Sequence, residues 1–212
     1  VFEGVPTMYQ AMLAAAAKAP EVKLASLRTC ISGGSAMPVE VLRKFEERFD
    51  ATILEGYGLS ETSPVASFNH PNAQRKPGSI GTPIEGVEMK VADLDGNPLP
   101  VGEVGEVAVR GHNIMKGYWN KPEETAKAIR DGWFYTGDLA RQDEDGFYFI
   151  VDRSKDMIIR GGYNVYPREV EEVLYEHPEI AEVAVVGVPD EHYGEEVAAF
   201  VGHVGSKTSC KP

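Results

Sequence analysis

A strand–helix–strand pattern spans residues 27–54. Leu27–Ile31 and Thr52–Leu54 each have the apolar run of a short strand, and Pro38 stands between them where the first residue of a helix belongs. The helix carries one apolar stripe at three- and four-residue spacing, made of Val41, Leu42, Phe45 and Phe49. Two strands joined by a helix form a βαβ unit, which favours parallel pairing and ligand binding at the carboxyl ends of the strands.

Short β runs replace this pattern between residues 78 and 151. They comprise Val87–Val91, Val104–Arg110 and Phe147–Val151. Turn-forming pairs separate the runs, namely Asp95-Gly96, Asp131-Gly132 and Asp145-Gly146. The pattern predicts an antiparallel sheet or small barrel, which is interrupted by one helix from Pro122 to Arg130.

A third pattern follows the polar pentad Asp152–Asp156, which has the composition of a linker. A β run at Met157–Ile159 leads through Gly161-Gly162 into a helix opened by Pro167. The helix is predicted to direct three apolar residues inward, Val170, Val173 and Leu174. Two apolar strands follow, Ala181–Val188 and Val197–Val204.

The charge balance bears on the kind of partner. The chain carries 21 Lys and Arg against 33 Asp and Glu, which gives a formal charge of −12. This charge repels nucleic-acid phosphates, so no nucleic-acid partner is expected.

Cys30 and Cys210 have no CxxC spacing, so neither a disulfide framework nor a zinc site is predicted, and a cytoplasmic location is expected. No apolar run approaches the ~18–20 residues of a transmembrane helix, and a soluble protein is expected.

Small residues follow the first strand of the βαβ unit. Gly33, Gly34 and Ser35 lie between strand and helix, where backbone amides are able to approach a ligand closely. A tight strand-to-helix turn also accounts for these residues. The segment matches neither the dinucleotide-binding motif nor the P-loop motif.

The segment Glu55–Pro64 follows the second strand and concentrates groups suited to a nucleotide. Gly56 and Gly58 free the backbone around Tyr57, whose ring is able to stack on a base. The groups suited to phosphate and Mg²⁺ come next, from Ser60, Glu61 and Thr62. A strand-end turn with a core tyrosine is the alternative.

Three further segments place polar or small residues beside β runs. Asp138 stands next to a glycine and is suited either to accepting hydrogen bonds from two sugar hydroxyls or to capping a turn. In the polar pentad, Arg153 is able to neutralise an anion, although a solvated hinge explains the same charges. The pair Gly161-Gly162 makes either a plain hairpin or the lining of a narrow channel.

Together and in this order, five motifs resemble those of the adenylate-forming superfamily, which includes acyl-CoA synthetases, peptide-synthetase adenylation domains and beetle luciferases. The motifs are Ser32–Pro38, Tyr57–Thr62, Tyr135–Leu139, Asp152–Asp156 and Gly161–Glu171. The resemblance covers essentially the whole chain. Within the superfamily, Tyr57–Pro64 and Gly111–Trp119 are most similar to fatty acyl-CoA and aryl-CoA synthetases.

The resemblance implies an α/β plus β fold, as in the acyl-CoA synthetases. Residues 1–77 would be the remnant of a βαβ subdomain that binds AMP, and residues 78–151 an antiparallel, barrel-like β subdomain. Residues 152–156 would form a hinge, and residues 157–212 an incomplete, mobile α+β C-terminal domain.

The resemblance also implies a nucleotide site. Tyr57 corresponds to the ring stacked on adenine, Asp138 to the acid that binds both ribose hydroxyls, and Arg153 to a second ribose contact. The glycine segment after the first strand would pack along the adenine and the acyl carboxylate. The full set of implied nucleotide-binding residues is Gly33, Gly34, Ser35, Tyr57, Gly58, Asp138 and Arg153.

Catalytic, hinge and thiol-channel residues are implied in the same way. Ser60 stands where the family usually has a phosphate-binding Thr, and Glu61 corresponds to the acid that helps to hold Mg²⁺. Lys155 falls at the hinge about which the small domain rotates. The implied CoA-channel residues are Gly161, Gly162 and Tyr163.

The implied activity is AMP-forming acyl-CoA synthesis, with a medium- or long-chain fatty acid as the first choice of carboxylic acid. ATP and the acid give acyl-AMP, and CoA takes the acyl group, so ATP/AMP, Mg²⁺ and CoA are the expected cofactor and co-substrates. Peripheral membrane contact by the parent enzyme is compatible with this activity, and the oligomeric state stays open.

The family's Gly/Ser/Thr/Lys-rich phosphate loop and near-terminal Lys are absent from these 212 residues. We therefore expect a C-terminal fragment that does not form acyl-adenylate by itself.

Other interpretations stay open at this point. One is a non-catalytic module that binds adenylates or a partner protein. A second keeps the enzyme class but changes the acid to an aryl acid, or the acceptor to a carrier protein. A third is an antiparallel β protein whose motifs are only turns.

Overall fold

The computed structural model describes residues 1–203. Cys210 and the predicted strand end at Val204 lie outside the described residues. The chain folds into two compact units, which meet in sequence between Ile150 and Val151. No helix in the described part of the chain is long and apolar enough to cross a membrane.

The first unit opens with a five-stranded sheet in the order β1-β2-β3-β4-β5. The first three strands pair in parallel, as the βαβ pattern predicts, and β4 and β5 add antiparallel pairs. The elements are β1 (Phe2–Gly4), α1 (Pro6–Lys18), β2 (Thr29–Ser32), α2 (Val39–Phe49), β3 (Thr52–Tyr57), β4 (Ser67–Phe68) and β5 (Thr82–Pro83). The predicted parallel sheet is thus present, with two antiparallel strands at one edge.

The helices bury the apolar stripe expected from the sequence. In α2, Val41, Leu42 and Phe45 are buried, and Phe49 packs at the edge of the same cluster. Pro38 caps the helix rather than forming its first residue, which moves the predicted start by one position. From α1, the Tyr9 hydroxyl donates to the Ile31 carbonyl oxygen at 2.6 Å, and burial raises the pKa of Tyr9. This bond ties α1 to the strand that precedes the glycine segment.

A second sheet forms most of the remaining first unit, with strand order β10-β9-β7-β6 and β8 paired to β9. Its elements are β6 (Val87–Ala92), β7 (Gly105–Gly111), α3 (Pro122–Ala128), β8 (Ile129–Arg130), β9 (Trp133–Gln142) and β10 (Tyr148–Arg153). The pairs β6–β7, β7–β9 and β8–β9 are antiparallel, as predicted. The predicted helix to Arg130 is too long, because its last two residues pair with Trp133 and Phe134 in β9 instead.

The core of the second sheet is built from alternate residues of its strands. Val107 and Val109 of β7 are fully buried together with Tyr148 of β10. The Tyr148 hydroxyl donates to the Met89 carbonyl oxygen at 2.7 Å, and burial raises the pKa of Tyr148 to about 12. The three turn-forming Asp-Gly pairs occupy their predicted places, each with its glycine at positive φ.

The second unit contains a four-stranded sheet in the order β12-β11-β14-β13. Its elements are β11 (Ile158–Arg160), β12 (Tyr163–Val165), α4 (Pro167–Tyr175), β13 (Ile180–Asp190) and β14 (Gly194–His203). The long β13–β14 hairpin pairs in register from Val183–Val201 to Asp190–Gly194, and β11 adds to β14. The prediction that Val173 points inward is wrong, since this residue of α4 is 66% exposed.

One ion pair in the second unit gives a pH-dependent prediction. Hydrogen bonds from the Arg160 guanidinium, then from the Val197 amide, lower the pKa of the Glu196 carboxyl from 4.5 to about 2. Because the folded pKa is depressed, this carboxylate stabilises the fold above about pH 4.5 and loses its contribution as the pH falls towards 2. Arg160→Gln should raise the carboxyl midpoint, followed by NMR of the Glu side chains, most of the way towards its ordinary value, with the remaining Val197 amide bond keeping it somewhat below. An unchanged midpoint would contradict the assignment.

Candidate functional site

The glycine loop after β2 lies against the carboxyl end of β3. Gly33 leaves the carboxyl end of β2, and a Cβ built on it would lie 3.5 Å from the carbonyl oxygen of Gly56 in β3. The next residue, Gly34, has φ +81, a left-handed conformation that favours glycine. Gly34 and Ser35 are exposed. The two interpretations of Gly33–Ser35, a tight turn and a ligand-binding segment, are therefore compatible, because the turn leaves its backbone accessible at the strand ends.

The second strand of the predicted βαβ unit is longer than expected. β3 continues through Glu55 and Gly56 to Tyr57, so these residues belong to the sheet rather than to a turn after it. Gly56 is required there, since a Cβ would overlap the edge of the Phe68 ring and lie 2.6 Å from its Cε2 atom. Tyr57 packs against the core of the second sheet and is half-buried.

The Tyr57 hydroxyl donates to Asp138 Oδ2 at 2.6 Å, across 81 residues of sequence. Asp138 lies on β9 and is 8% exposed. The bond brings together two of the motifs found in the sequence, one from each sheet of the first unit.

A bulge in β9 sets the position of Asp138. Between two regular pairs, only Val107 of β7 faces the three residues Thr136, Gly137 and Asp138. Gly137 has φ +78 and donates its N–H to Glu106 Oε1 at 2.9 Å, while Asp138 N donates to Thr136 Oγ1 at 3.1 Å. Bulges re-aim side chains and are frequent next to active sites. The Thr-Gly-Asp sequence is the local signal for this bulge.

The loop after β3 contains a 3₁₀ turn at Ser60–Thr62. Gly58 is packed so closely under Pro64 that a Cβ would overlap the Pro64 carbonyl oxygen and lie 2.9 Å from Val65 Cα. Thr62, which the sequence groups with the phosphate-suited residues, is fully buried. Its hydroxyl accepts from Leu59 N at 2.9 Å and donates to the Pro64 carbonyl at 2.7 Å, so it supports the turn. Ser60 is exposed, as a ligand-facing hydroxyl requires.

Residues 113–118 contact the same loop. Met115 N donates to the Glu61 carbonyl oxygen at 2.8 Å, and the Tyr118 hydroxyl donates to Glu61 Oε1 at 2.9 Å. Asn113 Nδ2 donates to the Val65 carbonyl oxygen at 2.7 Å. Burial, and then the hydrogen bond to Glu61, raise the pKa of Tyr118. The sequence links this segment to CoA synthetases only by similarity, and no local pattern predicts these contacts.

A metal at this site would need oxygen ligands beyond those of residues 1–203. Among residues 1–203 no cluster of three or more His, Cys, Asp or Glu is arranged to hold a metal ion. Glu61 supplies one half-buried carboxylate, and Oε2 of that group accepts no hydrogen bond from the described part of the chain. Mg²⁺ is commonly held by one or two carboxylates plus substrate phosphates, so this donor set fits a nucleotide-bound Mg²⁺.

The remaining predicted site residues lie in the second unit. Arg153 is the last residue of β10, so the pentad is partly strand and not wholly linker. Its carbonyl oxygen accepts from Asp156 N at 3.0 Å and Met157 N at 3.2 Å, which closes a turn with Lys155 exposed on it. The Asp152 carboxylate accepts hydrogen bonds from two backbone amides. These are Arg153 N at 2.7 Å and Arg168 N of α4 at 3.2 Å.

Gly161 and Gly162 form the two-residue turn of the β11–β12 hairpin. Both have positive φ, +58 and +87, and they separate the pair Arg160–Tyr163. Two consecutive positive φ angles are those of a type I′ hairpin turn. The plain-hairpin alternative therefore describes the backbone, while Gly162 and the 79% exposed Tyr163 are accessible to a ligand.

Two family models match this chain. The model described as AMP-binding enzyme matches residues 1–119, and the model described as AMP-binding enzyme C-terminal domain matches residues 169–208. The two matches fall on the two units of the structure. The first includes the predicted site residues from Gly33 to Glu61, whereas Asp138 and the predicted residues from Arg153 to Tyr163 lie between the two matches.

Individual proteins are similar over nearly the whole chain. A long-chain-fatty-acid–CoA ligase of Bacillus subtilis is 50% identical over 205 residues, covering 95% of this chain and 36% of the relative. A feruloyl-CoA synthase of Amycolatopsis is 45% identical over 199 residues, covering 93% of this chain and 40% of the relative. ATP-bound MatB from Rhodopseudomonas palustris superposes with a TM-score of 0.89 at 37% identity, covering 97% of this chain and 41% of that one. The chain thus spans less than half the length of the proteins it matches.

Proposed function

The chain belongs to the AMP-binding enzyme family, and on that premise we propose that it is the part of an AMP-forming acid–thiol ligase that holds the nucleoside and the thiol. The ligase joins a carboxylic acid to CoA by way of an acyl-adenylate. ATP, CoA and a small carboxylic acid are its substrates, and we propose that it works in the cytoplasm.

The observation that carries this proposal is the hydrogen bond from Tyr57 to Asp138. It holds an aromatic ring and a buried carboxylate side by side, next to the glycine loops at the ends of β2 and β3. In the proposed complex the ring stacks on adenine, and the carboxylate accepts hydrogen bonds from both ribose hydroxyls. Gly33, Gly34, Ser35 and Gly58 provide backbone that a nucleotide can approach closely.

We assign Ser60 and Glu61 to the phosphate groups of the nucleotide. The exposed Ser60 hydroxyl would contact a phosphate, and Glu61 would hold Mg²⁺ together with the phosphates. When bound, Mg²⁺ neutralises phosphate charge. Displacement at phosphorus depends mainly on positioning and charge neutralisation, so the chain needs no nucleophile of its own.

The second unit is assigned to ribose and thiol contacts. Arg153 would add a second ribose contact, and Lys155, exposed on its turn, would act as a hinge residue between adenylation and thioester formation. The Gly161-Gly162 turn and Tyr163 would border the CoA channel. A two-residue turn with no Cβ at either position offers a narrow backbone surface for a thin pantetheine arm.

A fatty acid is the first candidate for the carboxylic acid, because the B. subtilis fatty-acid ligase is 50% identical to this chain. An aromatic acid is the second candidate, since the feruloyl-CoA synthase is 45% identical. If the acid is a fatty acid, we propose that its acyl chain is of medium or long length.

The proposal is tested with the complete reading frame that contains this chain. The protein should release AMP and form acyl-CoA from ATP, free CoA and a medium- or long-chain fatty acid, monitored by chromatography. The 212-residue polypeptide alone should give no carboxylate-dependent pyrophosphate exchange, because it contains no Gly/Ser/Thr/Lys-rich phosphate loop. Ferulate consumed in place of fatty acids would select the second candidate. Binding of an acyl-adenylate analogue without any turnover by the complete protein would reject the enzyme in favour of a binding module.

A further inference from the structure

We propose that Tyr118 is a positioning residue for Glu61, and that its hydroxyl holds one carboxylate oxygen so that the other is presented to the metal. The inference rests on the proposed function for the identity of what Glu61 binds. The positioning itself follows from contacts within the first unit.

Both the main chain and the side chain of Glu61 are held by one neighbouring segment. Met115 N donates to the Glu61 carbonyl oxygen at 2.8 Å, and Tyr118 Oη donates to Glu61 Oε1 at 2.9 Å. A third bond, from Asn113 to the Val65 carbonyl oxygen, holds the far end of the same loop. The hydrogen bonds within the 3₁₀ turn hold its backbone but do not fix the Glu61 side chain, so residues 113–118 act as a brace for that side chain.

Tyr118 is itself fixed by the helix that follows it. Its backbone N–H donates to Thr125 Oγ1 at 2.9 Å, and that hydroxyl donates to the Lys121 carbonyl oxygen at 2.9 Å. Thr125 is a residue of α3. These hydrogen bonds link α3 through Tyr118 to Glu61, so the position of the carboxylate is fixed by an element outside its own loop.

The two oxygens of the Glu61 carboxylate differ in their hydrogen bonds, and this difference indicates how Tyr118 positions the group. Oε1 accepts from Tyr118, whereas Oε2 accepts no hydrogen bond from residues 1–203. A glutamate on a loop otherwise samples several rotamers, and ordering it costs free energy when a metal binds. Outer groups that orient a metal-binding carboxylate are typically worth ~10–100-fold in metal affinity. Since Tyr118 is 37% exposed, we expect the lower end of that range.

The test measures metal binding rather than turnover. In the complete protein with a non-hydrolysable ATP analogue, Mn²⁺ binding is followed by electron paramagnetic resonance of the free ion. Tyr118→Phe, which keeps the ring, should raise the Mn²⁺ dissociation constant roughly tenfold, with the melting temperature and the metal-free affinity for the analogue unchanged. The neighbouring Trp119→Phe, at an 89% exposed side chain, is the matched control and should leave all three quantities unchanged.

A double mutant separates positioning from general structural support. In a Glu61→Gln background, Tyr118→Phe should add nothing to the loss, because the carboxylate that it positions is gone. Equal losses in both backgrounds, or unchanged Mn²⁺ binding in Tyr118→Phe while Glu61→Gln weakens it, would overturn the positioning role. If Glu61→Gln itself leaves Mn²⁺ binding unchanged, the metal role of Glu61 in the proposed function fails, and this inference fails with it.

Discussion

Asp138→Ala should weaken the binding of AMP and ATP by the complete protein by about a hundredfold or more, because it removes the acceptor of the two hydrogen bonds that we propose from the ribose hydroxyls, at ~1.5–3 kcal/mol each. The side chain is 8% exposed, so bulk water screens these bonds little. Isothermal titration calorimetry with AMP measures the loss directly and does not depend on which carboxylic acid the enzyme uses.

Tyr57→Phe is the matched control for that experiment. It deletes the hydroxyl that donates to Asp138 and keeps the ring proposed to stack on adenine. We expect a loss of only a few-fold, since one hydrogen bond that orients the acid disappears while both ribose contacts stay. If Asp138→Ala binds AMP as tightly as the wild type while remaining folded, the nucleoside assignment is wrong and the motif is a turn.

Gly58→Ala should destabilise the first unit by about 3 kcal/mol or more, the upper part of the range for overpacking. The added methyl would overlap the Pro64 carbonyl oxygen and lie 2.7 Å from its carbonyl carbon. Backbone atoms cannot rotate away as a flexible side chain does, so the loop that carries Ser60 and Glu61 must move. Urea unfolding, followed by tryptophan fluorescence, should show an earlier midpoint, and nucleotide binding should weaken together with it.

Gly146→Ala separates steric overlap from backbone strain. Gly146 has φ +83, yet its nearest neighbour to an added Cβ, Gln142 Nε2, lies 3.9 Å away. Only the left-handed penalty of ~1–2 kcal/mol applies there. Equal destabilisation by the two substitutions would show that the Pro64 contact is not the reason for glycine at position 58.

Local patterns predicted the first sheet well and missed its extension. The helical stripe of Val41, Leu42 and Phe45 is buried as its spacing indicates, because a helix with one apolar face has only one way to cover it. The antiparallel additions β4 and β5 are two residues each, too short for any periodicity to reveal. They form because the sheet edge at Gly56 and Tyr57 has backbone groups to pair.

Errors at element ends have a similar cause. The helix from Pro122 stops at Ala128 because Ile129 and Arg130 gain strand partners in β9. The helical pattern itself contains no stop signal at that point. Tertiary pairing therefore overrides a local preference of fractions of a kcal/mol per residue.

The motifs that place this chain in its family could be recognised from the sequence alone, since each consists of a few adjacent residues whose types are dictated by local chemistry. Glycine stands where φ is positive or a backbone lies close, and the exposed Ser60 hydroxyl and the Glu61 and Asp138 carboxylates stand where we propose that a nucleotide is held. Which motifs touch was decided by the tertiary structure. Tyr57 meets Asp138 across 81 residues, and Tyr118 meets Glu61 across 57. No local pattern records such contacts, because they depend on how two sheets pack and on a bulge that turns one carboxylate inward.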